Sequence, residues 1–224
     1  MNKLQLLIVL ACIVFNYSVS AASKPIPKQP DIAADSFILL DFDSGRVLAE
    51  KDPDKTVEPA SITKLMTAYL VYKALANGDT SLTEKVKISE KAWRMKGSKM
   101  FIEVGKEVLV EDLIKGMVIQ SGNDATVALA EHIAGSEQAF AEYMNHQAVQ
   151  LGMHNSQFRN ATGWPDPDHY SSARDIALLG QALIRDYPEG HKYYSEKEYT
   201  YNDIRQFNRN RLLWRDDSVD GLKT

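Results

Sequence analysis

The chain has 224 residues, 44% of them hydrophobic and 25% charged, which is the make-up of a packed globular protein and excludes a disordered or fibrous one. A formal net charge of −4 supplies no basic surplus for nucleic acid or an anionic membrane surface. The single cysteine excludes an intrachain disulfide framework and a cysteine-built zinc site.

In chain order, Met1-Asn2-Lys3 carries one positive charge, Leu4 to Phe15 is apolar apart from Gln5, and mostly small residues follow through Ala22. This is the pattern of a secretory signal peptide over 1–21, with Val19 and Ala21 at the −3 and −1 positions of cleavage. The apolar run is too short to span a bilayer core of about 30 Å, and Val9-Leu10-Ala11-Cys12 sits too early for a lipoprotein site. Cleavage removes Cys12, so the exported chain depends on its core alone. Residues 22–35, with Pro25, Pro27 and Pro30, read as an extended lead-in.

Residues 37–42 read as a strand, Asp43-Ser44-Gly45 as a turn and 46–49 as the return strand, a hairpin opening a sheet. A helix is expected over 62–76, closed by Asn77-Gly78. Its residues are apolar nearly all the way round, which predicts burial and makes Lys64 inside it unusual. Amphipathic helices follow at 111–119, 124–134 and 137–151. Another covers 173–185, with Ser172 as N-cap and Asp175 as its capping-box partner. Short strands are expected at 198–201 and 204–208. No repeat or long linker follows residue 35. Strands first, helices in the middle and strands again at the end predict one α+β domain with a helical insertion.

Ser61-Ile62-Thr63-Lys64 opens the buried helix. Residues three apart share a helix face, with Cβ atoms about 5–6 Å apart. Free N–H groups and the positive dipole end at the first turn favour developing negative charge. Serine needs a base to become a nucleophile, and a lysine whose pKa is depressed by burial or a nearby cation can be that base. Ser121-Gly122-Asn123 falls between two helical stretches, where a loop and N-cap are the ordinary reading. Lys223-Thr224 follows Gly221-Leu222. Singly these motifs are weak. Together they stand in order, about 60 and 100 residues apart, in an exported chain, and match the Ser-x-x-Lys, Ser-x-Asn and Lys-Thr-Gly set of penicillin-binding proteins and class A β-lactamases.

With its flanking runs Glu58 to Thr67, Ile119 to Ala125, Phe158 to Pro165, His169 to Asp175, Asn208 to Trp214 and Val219 to Thr224, the sequence resembles the low-molecular-mass penicillin-binding proteins, the serine-type D-Ala-D-Ala carboxypeptidases, over about 36–224. The resemblance implies a β-lactamase/transpeptidase-like α+β fold, an antiparallel sheet flanked by helices plus a helical subdomain. It implies that Ser61 attacks the penultimate D-Ala carbonyl of a peptidoglycan stem peptide, with Lys64 as general base and Ser121 relaying a proton to the departing D-Ala. Asn123, Lys223 and Thr224 would bind substrate, Lys223 and Thr224 at its terminal carboxylate. β-Lactams would be trapped at the acyl stage. The same resemblance implies no cofactor, no metal, no nucleic-acid partner, and a location in the periplasm or on the outer face of the cytoplasmic membrane.

The chain stops before the glycine of the third motif. The expectation is therefore a catalytic domain, 36–224, truncated at its C-terminus, with the closing strands, a helix and any membrane-anchoring residues beyond Thr224, and poor folding or inactivity of the chain as given. A class A β-lactamase is disfavoured because Gly122 replaces the aspartate of Ser-Asp-Asn and no Glu-x-x-Leu-Asn segment lies between Asn123 and Lys223. An inactive cell-wall-binding relative is the other alternative. Asp175 is read as a capping carboxylate ahead of a site residue. His132, His146, His154, His169 and His191 lack metal-ligand spacing and read as surface or structural. Trp93, Trp164 and Trp214 read as core.

Overall fold

Antiparallel pairing joins β1 (Phe37–Leu40) to β2 (Val47–Lys51), with Phe37 opposite Lys51 and a bulge at Leu39/Leu40. The turn forms because the Asp41 carboxylate accepts the Ser44 N–H at 3.0 Å and Gly45 takes φ 66°, a left-handed value natural to glycine. The computed structural model describes residues 31–223, so the signal peptide, most of the lead-in and Thr224 lie outside the described residues. Among these residues the hairpin stays two-stranded and does not open a wider sheet.

The chain then enters β3 (Thr56–Val57), a 3₁₀ turn over Ala60–Thr63 and the helix α1 (Lys64–Asn77). The α-helix starts two residues later than periodicity suggests. Ala60 has φ 44°, and the tight turn it makes after Pro59 leaves Ser61 on a 3₁₀ step. Gly78 ends α1 at φ 79°, as Asn77-Gly78 predicts. Every residue from Lys64 through Tyr72 is buried.

Short β4 (Lys85–Lys87), α2 (Glu90–Arg94) and β5 (Glu107–Leu109) have no counterpart in the sequence reading. Each is too short for a period to declare itself, and each strand of the β4–β5 pair buries one valine, Val86 or Val108. Helices α3 (Val110–Val118), α4 (Asn123–Ala134) and α5 (Glu137–Gln150) come within a residue of their expected bounds. With α6 (Ala173–Asp186) they pack round α1, which is why a helix apolar on all sides is stable there. A short α7 (Pro188–His191) and the β7 (Glu198–Tyr201) and β8 (Ile204–Phe207) hairpin complete the fold. Ala34–Thr224 form one compact unit.

Two small pairings set up the site. β3 pairs with β6 (Ser171–Ser172), which fixes the chain entering Ser61 against the start of α6. Gln157 and Tyr170 exchange backbone hydrogen bonds at 2.8 and 3.0 Å, closing 158–169 into a loop. Ser172 caps α6 by accepting the Asp175 N–H at 3.2 Å. The reciprocal arm of the expected capping box is replaced: the buried Asp175 carboxylate accepts the Asn155 N–H and the Ser156 hydroxyl, both at 2.7 Å. Asp175 therefore secures the base of the loop. The tryptophan expectation is also corrected, since Trp93, Trp164 and Trp214 are each 40 to 46% exposed. They sit on a five-residue helix, a loop tip and a 3₁₀ turn, elements with too little mass around them to enclose an indole. No helix among the described residues is long and apolar enough to cross a membrane.

Candidate active site

Ser61 sits on the 3₁₀ turn and Lys64 on the first residue of α1, so one turn carries both to the same side. The Lys64 ammonium nitrogen Nζ lies 3.3 Å from Ser61 Oγ and donates to the Thr162 carbonyl at 2.8 Å. Lys64 is 1% exposed. Burial, reinforced by the positive charges of Lys223 and Arg209, pushes its pKa down to about 7. A substantial fraction is thus neutral at neutral pH. In that form one N–H serves the Thr162 carbonyl and the lone pair is available to the serine hydroxyl.

Thr162 is delivered by the 158–169 loop, whose tip is organised by Asn160. Its Oδ1 accepts N–H groups of Thr162, Gly163 and Trp164 at 3.1, 2.8 and 2.9 Å, and its Nδ2 donates to the Trp164 carbonyl at 2.8 Å. Gly163, at φ 81°, presses directly on the turn that carries Ser61: a Cβ there would stand 1.7 Å from the Ala60 carbonyl oxygen. Only glycine permits that approach.

Ser121 adopts φ 63° and is 1% exposed, and its Oγ is buried with no hydrogen-bond partner among the described residues. A left-handed φ at a non-glycine residue and a buried hydroxyl without a partner are both costly features. Asn123 begins α4, its Nδ2 donating to the Lys96 carbonyl and its N–H to the Ser98 carbonyl, both at 2.7 Å. The neighbouring Asp124 is fully buried. Its carboxylate accepts N–H groups of Met100, Phe101 and Ile102 at 3.0, 3.0 and 3.3 Å, pinning the loop segment that faces the second motif. A Cβ on Gly97 would meet Asn123 Nδ2 at 2.9 Å and the Trp164 ring at 3.6 Å. Trp164, on the loop that touches Ala60, thus packs beside Gly97 and next to the Asn123 side chain.

Lys223 is half-buried and its charge acts on Lys64. Burial and Arg209 push its own pKa down to about 8. Thr224 lies outside the described residues. Asp175 is remote from Lys64's hydrogen bonds, occupied with Asn155 and Ser156. Arg209, the Thr162 carbonyl, Asn160, Asp124 and Trp164 had no functional reading from sequence. Asn160-Ala161-Thr162-Gly163, an Asx-turn signal ending in glycine, was the available clue for the loop. Nothing local marks Arg209.

The family model described as D-alanyl-D-alanine carboxypeptidase matches residues 23–224. The D-alanyl-D-alanine carboxypeptidase DacA of Haemophilus influenzae is 48% identical over 199 residues, covering 87% of this chain and 51% of that protein. The crystal structure of penicillin binding protein 5 from Haemophilus influenzae superimposes with a TM-score of 0.86 at 47% identity, covering 88% of this chain and 59% of that one. Penicillin-binding protein D2 from Listeria monocytogenes, solved in its ampicillin-bound form, gives a TM-score of 0.76 at 31% identity, covering 88% of this chain and 81% of that one. The chain spans about half the length of the curated relative it matches. A buried lysine against a serine at a helix start, a Ser-Gly-Asn turn with Ser121 at a left-handed φ and a family match over residues 23–224 agree: the chain belongs to the D-alanyl-D-alanine carboxypeptidase family, the low-molecular-mass penicillin-binding proteins.

Proposed function

We propose that residues 36–224 carry the catalytic centre of a serine-type D-Ala-D-Ala carboxypeptidase that trims peptidoglycan stem peptides and is acylated by β-lactams. The observation that carries this reading is the buried Lys64 Nζ 3.3 Å from Ser61 Oγ, with burial and nearby cations pushing its pKa down to about 7. Neutral Lys64 takes the Ser61 proton as Oγ bonds to the penultimate D-Ala carbonyl carbon. Collapse of the tetrahedral intermediate breaks the peptide bond, and Ser121 passes a proton to the departing D-Ala nitrogen. Asn123 holds the peptide backbone, and Lys223 with Thr224 attracts the terminal carboxylate. Water then cleaves the Ser61 ester. The Listeria relative's ampicillin-bound form supports the reading that this chain takes up β-lactams. The expected signal peptide puts the enzyme on the far side of the cytoplasmic membrane, in the periplasm or at the membrane's outer face.

Incubation with fluorescent penicillin, followed by peptide mapping, tests the reading. Label is expected on Ser61 and is lost in Ser61→Ala, while Lys64→Gln slows labelling by about 10²–10⁴-fold; labelling of the chain as given also overturns the expectation that it is inactive. Release of D-Ala from a stem pentapeptide is the companion assay. Label at another residue, or rapid turnover of a chromogenic cephalosporin, overturns it.

A further inference from the structure

His169 is 3% exposed and lies at the closing end of the 158–169 loop. Its Nδ1 accepts the Arg159 N–H at 3.1 Å, so the ring proton resides on Nε2, which donates to Thr63 Oγ1 at 2.8 Å. Phe158 meets the ring edge-on at 5.7 Å and fixes its plane. These two bonds join the two halves of the Lys64 cradle. Thr63 lies within the Ser61–Lys64 turn, and Arg159 lies three residues before Thr162, whose carbonyl holds Lys64 Nζ. Gly163 continues the seam, its Cβ position lying 2.9 Å from Thr63 Oγ1.

We propose that His169 is a positioning residue for the general base: by tying Thr63 to Arg159 it keeps the loop closed on the turn and Lys64 dry against the Thr162 carbonyl. The inference rests on the proposed role of Lys64 as base. A Thr63–His169 bond without this role leaves Lys64's protonation untouched when it is broken. With this role, breaking it admits water to the seam, eases the desolvation that depresses Lys64 and leaves more of it protonated at neutral pH. The charges acting on Lys64 are Lys223 and Arg209. Those around His169 are Asp166, which favours its protonated form, and Arg159, whose guanidinium is held by Asp168 at 2.9 Å. Burial outweighs Asp166 and keeps the imidazole below its ordinary pKa, as a ring that must accept the Arg159 N–H requires.

The test uses the full chain and reads Lys64 directly, by NMR titration of its ε-carbon and ζ-nitrogen, beside the pH dependence of acylation. His169→Asn retains an acceptor for Arg159 and loses the donor to Thr63, while Thr63→Val removes the same bond from the other side. Each is expected to raise the Lys64 midpoint by about one unit and to slow acylation at pH 7 about fivefold. The double variant should go no further than either single one. A midpoint unchanged in Thr63→Val overturns the proposal, as does loss of folding in that near-isosteric variant. The NMR midpoint needs no turnover, so a wild-type chain that takes up no penicillin counts against the carboxypeptidase reading and leaves this measurement intact.

Discussion

Burying an amine that must shed its proton near neutrality costs folding free energy, and Lys64 shows where that cost falls. Its pKa is about 7 in the folded chain against 10.5 when exposed. At pH values between these the unfolded state binds more protons, so stability rises with pH over that window and levels off at its lowest below about 7. Lys64→Met should therefore abolish acylation, raise Tm at pH 7 by about 5 °C and flatten the rise in Tm between pH 6 and 9, which scanning calorimetry across that range would check. A melting temperature in Lys64→Met equal to or below wild type at pH 7 would show that the methionine cannot pack where the lysine stem does. Activity should be bell-shaped in pH. On the proposed mechanism the acid limb, near 7, is the loss of the Lys64 proton, and the alkaline limb, above about 8, is the loss of the Lys223 charge proposed to draw the substrate carboxylate. Stopped-flow acylation by a carboxylate-bearing β-lactam measures both limbs.

Loops rather than regular elements do the positioning. The 158–169 loop has no helix or strand of its own, yet Asn160 satisfies three of its N–H groups and Gly163 seats it on Ala60. Gly163→Ala forces a Cβ into the Ala60 carbonyl at a left-handed φ, so the loop must lift away from the turn. The expected outcome is a chain that remains folded by circular dichroism with acylation reduced at least about 10²-fold, the scale of a misplaced catalytic group. Asp124 plays the matching part for the second motif. Asp124→Asn turns acceptors toward Met100, Phe101 and Ile102 into a half-matched amide in a fully buried site, at a cost of about 2–3 kcal/mol by urea denaturation. A surface substitution such as Glu142→Gln should change stability by less than about 0.5 kcal/mol under the same conditions.

Across the whole molecule, the helices enclose α1 while the β1–β2 hairpin and α6 border a groove of about 670 Å³. Leu40, Phe42, Val57, Ile62, Ile176 and Leu222 line it, and it reaches Lys223. Apolar surface of that extent binds hydrophobic dyes. The chain should enhance 8-anilinonaphthalene-1-sulfonate fluorescence in its native state, and Ile176→Glu, which charges the groove wall, should reduce the enhancement without unfolding the protein. The sequence by itself determined the long helices, since a period of 3.6 over ten or more residues overrides local ambiguity, and it determined the Ser61–Lys64 pair, since residues three apart on a helix start must share a side. It also marked Ser121 and Asn123, by order and spacing. It was silent on β4, α2 and β5, where strands of three residues and a helix of five hold too few positions to show a period. It misassigned the tryptophans, because an indole's burial depends on what surrounds it. Only the tertiary structure decided that Lys64 is dry, that its second partner is a carbonyl 98 residues away and that Arg209 adds charge to the cleft. Desolvation and Coulomb fields act through space, and a linear sequence does not record which distant groups share that space.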